Sequence, residues 1–125
     1  MVSALELAYK VYEELKRNNQ ITEDLRKKMD SIPSIVLSSG IFGLTLLALK
    51  NMDDKDWNSI EQIVIPRFLS EKTNREIKTE LKPSELIKTV YEMTKEGSFA
   101  IITREFLEYI KWLKYLIRAH TKGEG

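Results

Sequence analysis

The chain has 125 residues, 20 of them Lys or Arg against 19 Asp or Glu, for a formal charge of +1. A chain of this length is expected to form one domain that buries about two thirds of the surface its unfolded form exposes, and its near-neutral balance excludes nucleic-acid binding through bulk basicity alone. It has no cysteine, which excludes disulfides, thiolate metal sites, iron–sulfur clusters and thiol nucleophiles together and fits a cytoplasmic protein.

Residues 2–19 place Leu5, Ala8, Tyr9, Tyr12 and Leu15 at three- and four-residue steps, the pattern of an amphipathic helix facing a core. Glu6 precedes Lys10, and Glu13 precedes Arg17, by four residues, the favourable order for pairing along an outer face. Glutamate stands where an export signal would carry basic and then apolar residues, so no export is expected. Thr22 followed by Glu23 and Asp24 reads as a capped helix start. That second helix carries Arg26, Lys27 and Lys28 and is expected to break or kink at Pro33, which disfavours helical geometry at Ile32.

Residues 31–49 contain no charge. They read as a buried central helix starting at Pro33, with Ser39, Gly40 and Gly43 letting another backbone approach and Ile35, Val36, Leu46, Leu47 and Leu49 supplying bulk. A lipid-facing span is the weaker reading. It would need about 20 predominantly apolar residues, and neither an aromatic belt nor a one-sided basic flank accompanies the run. Asp53, Asp54 and Asp56 read as helix-start acids rather than a metal site, because the glycine and distal glutamate of a calcium loop are missing.

The next helix carries Trp57, Ile60, Ile63, Val64, Phe68 and Leu69, with Pro66 expected to kink it or end its first part. Residues 70–82 are polar and read as a connection or marginal helix. Pro83 opens a helix with Leu86, Ile87, Val90, Tyr91 and Met93, closed by Gly97. Ser98 is expected to cap the last helix, which runs from Phe99 to about His120 with Ile102, Phe106, Tyr109, Ile110, Leu113, Leu116 and Ile117 facing inward, before a frayed tail at 122–125. The expected architecture is all-α, a compact single-domain bundle of about five to seven helices.

Parts for catalysis are missing. No metalloprotease, nucleophile-elbow, P-loop or dinucleotide fingerprint occurs, and the single histidine, His120, sits where a cation complements a helix carboxyl end. The expectation is no catalytic residue, no cofactor, no metal, no membrane and no small-molecule substrate. Surface charge is the remaining signal. Arg104, Lys111, Lys114, Arg118 and Lys122, separated by seven, three, four and four residues, form one ridge opposite the apolar stripe, and Arg26, Lys27 and Lys28 form a second basic group. Such ridges commonly serve solubility only. The functional reading is attraction to phosphates, with Trp112 and Tyr115 placed to stack on a base or pack on a partner.

Two stretches resemble a known family. The basic residues Arg26, Lys27 and Lys28 before Pro33, then Gly40 with Ile41 leading into FGLTLLALK, and the closing FLEYIKWLKYLIRA, are similar to the small all-helical subunit of the type III-B CRISPR effector, the Cmr complex. The resemblance implies a subunit without enzymatic activity in antiviral defence. It further implies that several copies stack beside the backbone subunits of a filament carrying CRISPR RNA and help hold target RNA. The partners would then be other Cmr subunits, copies of itself, and the two RNAs. Arg104, Lys111, Lys114 and Arg118, and secondarily Arg26, Lys27 and Lys28, are the candidate RNA-facing residues. The alternative is a homo-oligomeric or adaptor bundle with no nucleic acid in its biology.

Overall fold

A computed structural model describes residues 2–73, 81–95 and 99–124. Among them are six α-helices, one π-helical segment and no strand. Helix α1, Ala4–Arg17, starts where the Ser3 hydroxyl accepts the Glu6 N–H at 3.1 Å. Its buried face is Leu7, Ala8, Val11 and Leu15. The expected stripe is therefore rotated: Leu5 and Tyr9 face solvent, Tyr9 at 52% exposure, and Tyr12 sits at the rim. Leu7 and Val11 are aliphatic side chains without a polar atom to satisfy. They take the core, while the Tyr12 hydroxyl reaches His120 Nδ1 at 3.1 Å on the last helix.

Helix α2, Glu23–Lys50, is capped by the Thr22 hydroxyl, which accepts the Leu25 N–H at 2.9 Å. It runs through Pro33 without a break, contrary to the sequence expectation. Met29, Ile32 and Val36, all buried and spaced by three and four, carry the helix across the proline by packing on the core. The interruption lies at Gly40 instead, at φ 73° and ψ 176°, a conformation that only glycine adopts readily. The bend brings Ser39 against Gly43, so that a Cβ on Gly43 would overlap the Cβ of Ser39, while the nearest neighbour of a Cβ on Gly40 would be the Phe99 ring at 3.9 Å. The small residues thus serve the bend within α2, not the approach of another backbone.

The uncharged stretch is also less enclosed than expected. Val36, Ile41, Leu44, Thr45 and Ala48 are buried, but Leu37 is 75% exposed and Leu46 also faces outward. By length and composition α2 could cross a membrane. Here it is a core element, packed against the short third helix and the last two helices.

Helix α3, Lys55–Ser59, is capped by Asp54, whose Oδ1 accepts the N–H groups of Asp56 and Trp57 at 2.9 and 3.2 Å. The acids at 53–56 therefore include a helix cap, as read from the sequence. Residues Ile60–Val64 form the π segment, in which the Ile65 N–H reaches back to the Ile60 carbonyl, and α4, Ile65–Thr73, follows with Pro66 in its first turn. The proline accordingly marks a change of helix type. Residues 70–73 of the polar connection belong to α4, whereas 74–80 lie outside the described residues, as do Gly97 and Ser98.

Helices α5, Pro83–Lys95, and α6, Phe99–Glu124, complete the bundle. Leu86, Val90 and Met93 face inward on α5, but Tyr91 is exposed, its ring set edge-on to Phe42 with centroids 6.1 Å apart. Helix α6 lies against both α1 and α2. Its Phe106 and Tyr109 meet Phe68 of α4 in an aromatic cluster with centroids 5.0 to 6.0 Å apart. The buried Tyr109 hydroxyl donates to the Val64 carbonyl at 2.7 Å, so the polar tip of a core side chain is satisfied at the end of the π segment.

Candidate nucleic-acid interface

Helical rotation of 100° per residue sends three consecutive basic residues in different directions. On α2, Arg26 is turned to the carboxylates of its own helix, Lys27 is exposed without an ion pair among the described residues, and Lys28 reaches Asp54 at 3.4 Å and Asp56 at 3.9 Å. The triplet is thus not one patch. Arg26 pairs with Glu23 and with Asp30, the latter at 3.0 Å, and hydrogen bonding to Arg26 holds the Glu23 carboxyl below its usual range. Lys28 ties the start of α2 to the cap of α3, and Thr22 adds a hydroxyl bond to Asp56 Oδ1 at 2.7 Å.

The ridge on α6 is more uniform. Arg104 and Tyr115 are exposed, and Lys111, Lys114 and Arg118 are half-buried. Arg104 and Lys114 make no ion pair among the described residues. Lys111 pairs with Glu108 at 2.8 Å, which lowers the Glu108 carboxyl, and lies 4.8 Å from the centre of the Trp112 ring. Trp112 packs partly on the core and meets Tyr115 edge-on at 6.1 Å. Of the two aromatic candidates, Tyr115 is therefore the one with a free face.

Asp30 joins the two basic groups. Its Oδ2 accepts from Arg26 and its Oδ1 from Arg118, each at 3.0 Å, across 88 residues of sequence. Arg26 and Arg118 are brought together in this way, while Lys27, Lys28, Arg104 and Lys111 are not part of that junction. Sequence reasoning did not single out Asp30. The Arg26-to-Asp30 spacing of four was readable, but nothing local to Asp30 points at Arg118. Among the described residues no three His, Asp or Glu side chains come together in a way that could hold a metal ion.

The fold defines a small all-α bundle whose candidate basic residues lie at or near its surface. The sequence model of the family described as CRISPR-associated protein (Cas_Cmr5) matches residues 3–120. The chain belongs to that family, the small subunit of the type III-B Cmr complex, and the resemblance read from its sequence holds. No curated protein and no solved structure matches the chain significantly.

Proposed function

We propose that the protein is a non-catalytic subunit that stacks along the Cmr ribonucleoprotein filament in the cytoplasm, beside the backbone subunits and further copies of itself, and helps hold target RNA against the CRISPR RNA in antiviral defence. The observation that carries this reading is the α6 ridge, where Arg104 and Lys114, which make no ion pair among the described residues, stand beside Lys111 and Arg118 on one helix. Contact through phosphates needs no sequence readout by this chain, because guide pairing supplies specificity. A near-neutral protein suits the task, since weak contacts are multiplied when subunits are tethered along a filament.

The test is target-RNA binding by the assembled complex across a salt series, with Lys111→Glu and Lys114→Glu introduced together. Loss of two phosphate contacts per subunit is expected to make the slope of log K against log salt shallower by about 1.4 for each copy that engages the strand. Unchanged binding throughout the series overturns the ridge assignment. Exposed Leu37, Tyr91, Phe99 and Ile101 favour a second reading, an adaptor or homo-oligomeric bundle without nucleic acid. Protein purified from its native host decides between them: a large ribonucleoprotein of repeated subunits accompanies it under the first reading and is absent under the second.

A further inference from the structure

Between α2 and α6, Arg26, Arg118 and Lys122 line a groove of about 330 Å3, together with Glu23 and Thr121. Asp30 fixes both guanidinium groups there, one on each carboxylate oxygen. The Arg118 Nε–H is shut off from solvent and has no acceptor among the described residues. The Arg118 side chain as a whole is 41% exposed and lines the groove, so an acceptor seated there can reach the guanidinium. Lys122 is exposed and forms no ion pair among the described residues, and the Thr121 hydroxyl is already used, donating to the Arg118 carbonyl at 3.0 Å.

The charges select the ligand. Arg26, Arg118 and Lys122 contribute three positive charges, and Glu23 and Asp30 two negative ones, leaving one positive charge. A phosphodiester carries one negative charge, whereas a free phosphate or phosphate monoester carries about 1.5 to 2 near neutral pH. The carboxyl end of α6 adds about half a negative charge, which weakens the attraction for any anion and disfavours a dianion about twice as much as a monoanion. Lys114, Arg118 and Lys122 follow one another at four-residue steps, about 6 Å of rise each, so an extended strand can pass from one cation to the next.

We propose that this groove seats one phosphodiester of an RNA strand, with Arg118 and Lys122 as contacting residues, Arg26 completing the charge, and Asp30 as the positioning residue. The inference rests on the RNA-facing reading above and adds to it the place and the charge state of the group bound.

The experiment follows the arginine Nε–H signals of the full chain by nuclear magnetic resonance while a short oligouridylate, or inorganic phosphate, is added. The oligouridylate is expected to shift the Arg118 signal, and inorganic phosphate at equal concentration is not. Lys122→Gln, at an exposed residue without an ion pair, should make the salt slope of oligouridylate binding shallower by about 0.7, and Arg118→Gln with Lys122→Gln by about 1.4. An equal shift with inorganic phosphate overturns the phosphodiester assignment. No Arg118 shift, with an unchanged slope in Lys122→Gln, overturns the groove, and the function proposed above survives that result if reversal at Lys111 and Lys114 still weakens target binding. If that reversal also has no effect, the RNA-facing reading itself fails.

Discussion

Glu61 is 1% exposed within the π segment, and the hydrogen bond its carboxylate receives comes from the adjacent Gln62 amide at 2.8 Å. Burial raises its pKa, and the Gln62 bond offsets this only in part. The unfolded chain loses this proton near pH 4.3, so above that pH the folded state binds more proton than the unfolded one. The contribution of Glu61 to stability is present at acidic pH and lost as pH rises through the folded pKa. Glu61→Gln is expected to flatten the decline in stability as pH rises above about 4.3, read as denaturant midpoints; an undiminished decline would refute the assignment. None of this was legible in the sequence, where Glu61 is one more acid in a charged chain. The ionic partners of Arg26 and Arg118 were hidden for the same reason, because partnership depends on which elements pack together.

Helix α2 separates what local propensity predicts from what packing decides. Pro33 carries the stronger local signal for a break, about 3 kcal/mol against a helix interior, yet the buried Met29, Ile32 and Val36 override it. Gly40 carries a weaker signal and takes the bend. Gly40→Ala is therefore expected to destabilise the protein by about 1–3 kcal/mol, whereas Pro33→Ala, which restores a backbone donor inside a helix, should be neutral or stabilising in the same urea titration. The opposite ranking would return the break to Pro33. Face assignment shows the same limit. Periodicity found α1, but Leu5–Tyr9 and Leu7–Val11 are both four-residue steps, and only contact with the last helix selects the second. On α6, seven apolar residues left no such ambiguity, and Phe106, Tyr109, Ile110, Leu113 and Ile117 are buried as read.

At the scale of the molecule, fold and surface chemistry are carried by different sets of residues on the same last helix. Phe68, Phe106 and Tyr109 join α4 to α6 at the centre of the core. Phe68→Ala is expected to cost about 3–5 kcal/mol, while Lys114→Glu, which breaks no ion pair among the described residues, should stay within about 0.5 kcal/mol, and Lys111→Glu, which loses Glu108 and the Trp112 ring, should cost about 1 kcal/mol. Thermal unfolding of the three variants measures each, and a large loss in either lysine variant would mean that the ridge is part of the scaffold. The all-α class, the helix order and the family were readable from apolar spacing and two motif stretches. Long-range pairs such as Arg67 with Glu14, bonded at 2.7 Å across 53 residues, were not, since either residue alone is an ordinary surface charge.

Asp30 holding Arg26 and Arg118 has a consequence for when the surface comes into being. The two arginines are distant in sequence and meet only after α6 has docked on α2, so an unfolded or half-folded chain owns the charges but not the groove. Any anion seated there binds the native state alone, and at a concentration of 100 Kd it would stabilise the fold by about 2.7 kcal/mol. An anion held in the groove would therefore report that α6 has docked on α2.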